Sequence, residues 1–244
     1  ADKLLNLAVV DYPGDRVAVI LACDGCTDDT VAVARDTLQH PACLDMTVEI
    51  RAFPHNRGKV AVLNEVVSGV DHGIVVLSDV SALVSVDALT LVAAHFEDPG
   101  TGVVTGAYRL LDPASEGEAA YWRYQSEIKR SEVALGSILG AHGAFYAFRR
   151  EHFETLPENT INDDFVLPMR IVARGLRGVY DLRIHALELE HATPGQDHSR
   201  RRRIAAGNAQ QVLLLWRLLL PKHRGIALAF AAGKALRVAM PLLM

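Results

Sequence analysis

RVAVILACDGCTDDTVAVARDTLQ, residues 16–39, decides how the rest of the chain is read. RVAVILA (16–22) is a short apolar run, and TDDTVAVARDTLQ (27–39) has the spacing of a helix. Between them a turn carries Asp24 and Gly25. Strand, turn and helix form the repeating unit of a parallel α/β sheet, and the unit recurs downstream. TVEIRAF (47–53) precedes GKVAVLNEVVSGV (58–70), and GIVVLSD (73–79) precedes VDALTLVAAHFED (86–98). GVVTGAYRL (102–110), GAFYAFRR (143–150) and LRGVYDLRI (176–184) read as further strands. Helical patterns lie at 116–140, at 163–175 with Gly175 as the stop, and at 199–220. The expected fold class is α/β, a mostly parallel sheet flanked by helices.

The 244 residues are 50% hydrophobic and 22% charged, enough to fill a core and too apolar for a disordered chain. A formal net charge of -4 argues against a general nucleic-acid binder, which carries a basic excess. Three cysteines, at 23, 26 and 43, build no disulfide framework and favour a reducing compartment. The first residues, ADKLLNLAVVDYPGDR, hold no basic stretch followed by an apolar core, so they read as no signal peptide. They also lack an initiator Met and read as the interior of a larger protein. From QQVLLLWRLLLP (210–221) onward polar residues thin out, and 226–244 is nearly the ~20 residues a bilayer span takes. Lys234 and Arg237, three apart, share one helical face there. The expectation is membrane contact through C-terminal interfacial or membrane helices; the alternative is an amphipathic helix on a soluble core.

In an open α/β sheet, ligands bind beyond the carboxyl ends of the strands. Acidic residues fall at three places on that edge. Asp24 follows the strand at 16–22, Asp79 follows the strand at 73–78, and TINDDF (160–165) opens a helix with Asp163 and Asp164. Each alone reads as a turn or cap residue. Together they describe a pocket with excess negative charge, suited to a divalent cation and a phosphorylated ligand.

Five segments carry a specific resemblance. ACDGCTDDT (22–30) is similar to the D-G-S-T-D-x-T turn of family-2 glycosyltransferases, and NRGKVAVLN (56–64) to their N-x-G-K-x-x-x-L-N segment. LSDVSALVSVDAL (77–89) resembles the stretch around their D-x-D motif, and INDD (161–164) their T-E-D motif. RRRRIAAGNAQ (200–210) resembles the Q-R-x-R-W-x-x-G-x-x-Q motif of the membrane-embedded polysaccharide synthases. The motifs keep the family's order and spacing. The resemblance implies a GT-A fold, a nucleotide-diphospho-sugar donor (a UDP-sugar first of all), a saccharide or glycolipid acceptor, and an inverting transfer.

It also implies roles. Asp24 is expected to hydrogen-bond the donor's base, and Lys59 to lie near its diphosphate. Asp79 matches the first Asp of D-x-D and would bring Mg2+ or Mn2+ to that diphosphate. Ser81 stands where the family often has a second carboxylate, and a hydroxyl is the weaker ligand for a hard cation. Asp164 matches the catalytic Asp, a general base for the acceptor hydroxyl. Successive helical residues point about 100° apart, so Asp163 has another task, capping the helix or holding an acceptor hydroxyl. The helix dipole is expected to keep both carboxylates ionised. Arg203 and Arg201 would face the diphosphate, with Arg200 in place of the family's Gln. Ile204 replaces the Trp that contacts the acceptor sugar. LGAHGAFYAFRR (139–150) would form the acceptor side, where Gly140, Ala141 and Gly143 allow close approach and His142 contacts the sugar.

Residues 1–115 are expected to form the nucleotide-sugar half, 116–198 the acceptor half, and 199–244 the Arg-rich helix with the membrane-facing segment. The family opens with a strand ending in a P-x-Y-N-E-like segment that nothing here matches, so the first half is expected to lack its first strand. The resemblance implies the cytosolic face of a plasma membrane, and the Ala- and Arg-rich composition suggests a bacterial one. Two other readings stand beside this one. CDGC (23–26) is a C-x-x-C at a strand-to-helix turn, as in redox proteins, although a zinc site needs four ligands and no second C-x-x-C exists. A non-catalytic membrane-peripheral binding protein would use Arg200–Arg203 on anionic lipid.

Overall fold

The computed structural model describes residues 1–71, 73–111, 116–189 and 194–238, and their side chains except those of 118, 119 and 194–201. Helix α1 (Asp2–Ala8) precedes β1 (Ala18–Asp24), α2 (Thr30–Thr37), β2 (Thr47–Phe53), α3 (Lys59–Ser68) and β3 (Ile74–Ser78). Then come β4 (Ala82–Val84), α4 (Ala88–Phe96), β5 (Thr101–Leu110), α5 (Glu116–Ala134) and β6 (Phe145–Arg149). Helix α6 (Asp163–Val172), β7 (Arg177–Glu188), α7 (Pro194–Leu214) and α8 (Gly225–Phe230) complete the order. A π turn at Ala231–Ala235 carries α8 on to residue 238.

The strands form two sheets. β1 and β2 make a parallel ribbon, with Ala18 opposite Thr47 and Asp24 opposite Phe53. The other five strands run in the order β3-β6-β5-β7-β4. Within that sheet β5 and β7 are parallel, whereas β3–β6, β5–β6 and β4–β7 are antiparallel. The α/β class holds, but the expected prevalence of parallel pairing does not extend to the larger sheet. Strand-helix-strand spacing fixes the length of a connection, not the direction in which the next strand enters. β6 follows the turn at 135–144 and enters reversed; β4 follows β3 after residues 79–81, too few for a parallel crossover. The sheet draws β3, β4 and β5 from before residue 115 and β6 and β7 from after it.

Period-2 alternation divides the core. On one face Val103, Tyr146 and Phe148 pack against Val60, Leu63 and Val67 of α3 and Val166, Leu167 and Ile171 of α6. On the other, Val104, Phe145 and Ala147 meet Ala88, Val92 and Phe96 of α4. A third cluster joins Phe165, Met169 and Val172 of α6 to Leu215, Leu218 and Phe230 of the C-terminal segment. Helix α1 is fastened to the β3–β4 turn. Lys3 Nζ donates to Ser78 Oγ (2.6 Å) and Ala82 O (2.5 Å), and Asn6 exchanges two hydrogen bonds with the Val84 backbone.

The ribbon stands apart from this core. β1 pairs on one side only with β2, and β3 on one side only with β6, among the described residues. A groove of about 280 Å³ lies between Ala18, Val19 and Ile20 of β1 and the turn at Gly69–Asp71. No helix among the described residues is long and apolar enough to cross a membrane. The segment that would reach such a length continues into 239–244, outside those residues.

Candidate active site

Asp24 ends β1, and its carboxylate is a clasp. Oδ1 accepts from the Arg57 amide and Oδ2 from the Gly58 amide, both at 2.8 Å, while Asn56 Nδ2 donates to the Asp24 carbonyl at 3.3 Å. Gly25, in the left-handed region at φ 64°, lies so close to the Asn56 backbone that a Cβ would clash with it. Residues 55–58 therefore wrap around the end of β1 and place Lys59 at the first turn of α3. Here the described contacts of Asp24 serve the loop that aims Lys59.

Lys59 lies among carboxylates. Its Nζ is 3.1 Å from Asp79 Oδ1 and 3.6 Å from Asp163 Oδ2. Gly143 marks the space they share, because a Cβ there would sit 3.4 Å from Asp79 Oδ2, 3.5 Å from Asp164 Oδ2 and 3.7 Å from Lys59 Nζ. Backbone bonds hold the same stretch in register. The Ala141 amide donates to Asp164 O at 2.9 Å, and the Asp79 amide to Ala144 O at 3.3 Å. His142 Nδ1 accepts from the Ala144 amide at 3.2 Å, and the imidazole stacks on Tyr108 at 4.0 Å and meets Trp122 edge-on at 5.6 Å. Gly140 is pressed onto the Phe165 ring in a left-handed conformation. The fold thus gathers Lys59, Asp79, Asp163, Asp164, Gly140 and His142, spread over more than a hundred positions in sequence, at one place.

Burial and crowding set the charges. Burial opposes the Lys59 ammonium, but Asp163, Asp79 and Asp164 outweigh it and hold the group above its ordinary value. Burial, then Asp163, pushes the Asp164 carboxyl up to about 6; Lys59 and Lys234 pull it down and Asp79 adds to the rise. The dipole argument from sequence is therefore corrected: desolvation and a like charge dominate at this helix start. At pH 7 the ionised form of Asp164 still prevails by roughly ten to one. Below lies Tyr146, whose hydroxyl burial and the three carboxylates push well above its usual range. Its oxygen and Asp163 Oδ2 are both buried without a hydrogen-bond partner. Such orphans beside a cluster of charges mark a place for solvent or a ligand.

The helix cap is Asn162 rather than Asp163, and its side chain makes no capping bond. It meets α7 instead, at Gly207, where a Cβ would collide with the Asn162 amide. Gln210 adds two bonds to the same loop, accepting from the Ile161 amide (2.9 Å) and donating to Asn159 O (2.8 Å). Sequence reasoning missed these two jobs, although both residues belong to the motif at 200–210. Arg203 is exposed and has no carboxylate partner among the described residues, and Ile204 is 39% exposed. The side chains of Arg200 and Arg201 lie outside the described residues.

For a divalent cation the donors offered are hard oxygens. Among the described residues no three His, Cys, Asp or Glu side chains form a cage. Asp79, with Asp164 Oδ2 facing the same space, still fits Mg2+ or Mn2+, which bind through one or two carboxylates when substrate phosphates complete the shell. Ser81 is exposed in the following turn. Cys23 is buried, Cys26 is exposed, and both thiols are free. Burial, with Cys26 beside it, raises the Cys23 thiol, the opposite of what a reactive redox cysteine needs.

A sequence profile described as glycosyl transferase family 2 matches residues 2–156. A β-monoglucosyldiacylglycerol synthase from Synechocystis sp. is 30% identical over 177 residues, 68% of this chain and 36% of its own length. A poly-β-1,6-N-acetyl-D-glucosamine synthase from Staphylococcus aureus is 25% identical over 191 residues, 74% of this chain and 44% of its own. The chain thus spans less than half the length of these relatives. Among solved structures, a mannosyltransferase from Pyrobaculum calidifontis in complex with GDP-Man and Mn2+ superposes with a TM-score of 0.74 at 25% identity. The match covers 88% of this chain and 59% of that one. TarS 1–349 of S. aureus, in complex with UDP-GlcNAc, shares the fold at a TM-score of 0.60 and 16% identity, covering 88% and 66%. The GT-A arrangement expected from the motifs is the one these structures display.

Proposed function

The chain belongs to glycosyl transferase family 2, and from that premise we propose that it is the catalytic part of an inverting glycosyltransferase. It would move a sugar from a nucleotide-diphospho-sugar, a UDP-sugar first of all, to a saccharide or glycolipid acceptor. The observation that carries the reading is the convergence of Asp79, Asp164 and Lys59 on the space at Gly143. Support comes from the similar mannosyltransferase, whose structure holds GDP-Man and Mn2+.

Asp164 takes the proton from an acceptor hydroxyl while that oxygen bonds to the anomeric carbon. The bond from this carbon to the diphosphate breaks on the opposite face, so the configuration inverts. The bonding electrons leave with the nucleoside diphosphate, whose growing charge Lys59 faces and Arg203 would approach. Asp79 would hold a divalent cation, which when bound neutralises that charge. Gly140, Ala141 and His142 line the acceptor's side, and Asp24 keeps the loop before Lys59 in place for the donor.

The C-terminal surface supports membrane contact. Leu213, Trp216, Leu220 and Leu228 are exposed there, in the company of Arg217, Lys222 and Arg224. Exposed apolar and basic groups within one short stretch of chain suit the interface of an anionic bilayer, here the cytosolic face of a bacterial plasma membrane.

A screen of nucleotide-sugar turnover by the full-length enzyme in membranes tests the activity. One donor is expected to be consumed in proportion to glycosylated product. Turnover of none, with the protein folded, would overturn the reading. Calorimetric titration of UDP should show tighter binding with Mn2+ or Mg2+ than with EDTA. Equal affinity in both buffers removes the metal from the account.

A further inference from the structure

An open apolar groove of about 350 Å³ runs between α5 and the C-terminal segment, within the range of ligand pockets. Its walls are Tyr124, Ile128, Leu135, Leu139, Ala229 and Gly233. Tyr124 is 64% and Leu135 45% exposed, so apolar surface is left facing solvent. Two acids, Glu127 and Glu132, also line the groove, and each is ion-paired. Glu127 pairs with Arg130 at 3.1 Å, and Glu132 pairs with Lys129 at 3.1 Å and accepts from the Leu139 amide at 2.9 Å.

Two of the lining residues, Leu139 and Gly233, are followed in the chain by residues that touch α6. Beyond Leu139 come Gly140, against the Phe165 ring, and Ala141, bonded to Asp164 O. Beyond Gly233 comes Lys234, in the π turn, a feature frequent at functional sites. Lys234 Nζ lies 4.4 Å from the centre of the Phe165 ring and has no carboxylate partner among the described residues. Phe230, fully buried and stacked on Phe165 at 6.3 Å, holds the segment in this position. A cation that makes no salt bridge among the described residues therefore stands over the Phe165 ring, between the groove and the acceptor's side of the site.

We propose that the groove seats the apolar chain of an amphiphilic acceptor whose anionic headgroup is bound by Lys234. The proposal rests on the glycosyltransferase reading and narrows its acceptor to a membrane lipid of that charge. The headgroup lies on Lys234, one residue past the end of the groove, and its hydroxyl reaches the space that Asp164 faces. Burial brings the Lys234 ammonium down to about 8, with Lys129 and Arg237 lowering it and Asp164 and Glu132 opposing them. It stays mostly charged at pH 7, and an arriving anion relieves its repulsion with Lys129 and Arg237.

The test is direct binding to the full-length enzyme, below micellar concentrations, of dodecyl phosphate, neutral dodecyl maltoside and glycerol 3-phosphate. Dodecyl phosphate should bind tightest, and Lys234→Gln should weaken it about tenfold while leaving the maltoside unchanged. Lys234→Arg should keep most of the affinity. Ser131→Trp, made at an exposed position on the groove, should weaken both amphiphiles and spare glycerol 3-phosphate. Equal binding of the two amphiphiles, unaffected by Lys234→Gln, overturns the anion site. Affinity for glycerol 3-phosphate equal to that for dodecyl phosphate, with no effect of Ser131→Trp, overturns the groove. Loss of sugar transfer with these binding results intact would count against the proposed reaction, not against this site.

Discussion

The β1–β2 ribbon and the five-stranded sheet are made of similarly apolar strands, yet they are held in different ways. One residue of seven in β1 and none in β2 is buried, against seven of ten in β5. The large sheet is fixed by packing on both faces. The ribbon is fixed at its end, where Asp24 binds the loop before α3. On the proposed reading, the loop that Asp24 clasps before Lys59 therefore stands on the softer part of the molecule, and the proposed base on α6, whose inner face is packed against the core. A group that must meet reacting atoms within tenths of an ångström belongs on rigid scaffold, and one that admits and releases a nucleotide gains from local give.

The sharpest way to break this division is at its rigid end. Asp164→Asn is expected to cut transfer about 10²-fold or more while donor binding barely changes. Near-normal turnover would end the assignment, and Asp163→Asn should be milder. The free enzyme's activity should fall as pH drops through about 6, where Asp164 takes up its proton. Stability follows the opposite course. A carboxyl raised above its unfolded value contributes stability below about pH 4, and this is lost as pH rises through about 6. The Asn variant should therefore melt higher than the parent at pH 7, as thermal scans would show.

At the soft end, β1 and β3 each leave a pairing edge open among the described residues, and a further strand between them would join ribbon and sheet. Residues 1–244 alone are expected to transfer weakly and to need detergent. A chain carrying such a strand should bind UDP tighter, on the order of tens of fold, a gain of about 2 kcal/mol. Slower amide exchange at Val19–Leu21 in that chain, with Val103–Thr105 unchanged, would locate the effect. Full activity without the strand would show that the ribbon needs no such support.

Asp24→Ala tests the clasp itself. Two charge-assisted bonds are lost, and donor affinity should weaken about tenfold with kcat at saturation nearly unchanged. An equal fall in kcat would erase the distinction between the two regions. The smallest effect is expected at Ser81→Asp, which adds a charged oxygen and should strengthen Mn2+ dependence a few-fold, read by calorimetry.

Much of this was legible in the sequence because strands and motifs are local. β2 runs from Thr47 to Phe53, as its apolar run indicates, and Gly175 adopts a left-handed conformation just past α6. β4 escaped notice, since three residues inside a motif show no periodicity of their own. The direction of β6 depends on a turn whose geometry no spacing encodes. At the site, the motifs named the residues that meet, but not what their meeting does to them. The carboxyl of Asp164 is raised by burial and by Asp163, both products of tertiary packing. Asp24's partners are backbone amides, which leave no mark in the residue alphabet. Lys234 read as part of an amphipathic helical face; its place over Phe165 depends on the packing of Phe230.

The contact between Gly207 and Asn162 has a thermodynamic corollary. It fastens the arginine-bearing helix to the residue that starts α6, with Gln210 as a second tie. On the proposed reading, a diphosphate drawn to Arg203 and a proton on Asp164 would act on the two ends of one mechanical link. Whatever factor separates donor affinities in the protonated and ionised forms, the same factor must separate the protonation equilibria of the loaded and empty enzyme. Lengthening the side chain at 207 by a single methyl would loosen the link. The coupling between donor binding and proton binding should then shrink to what the charges at Lys59 and Asp79 pass directly to Asp164.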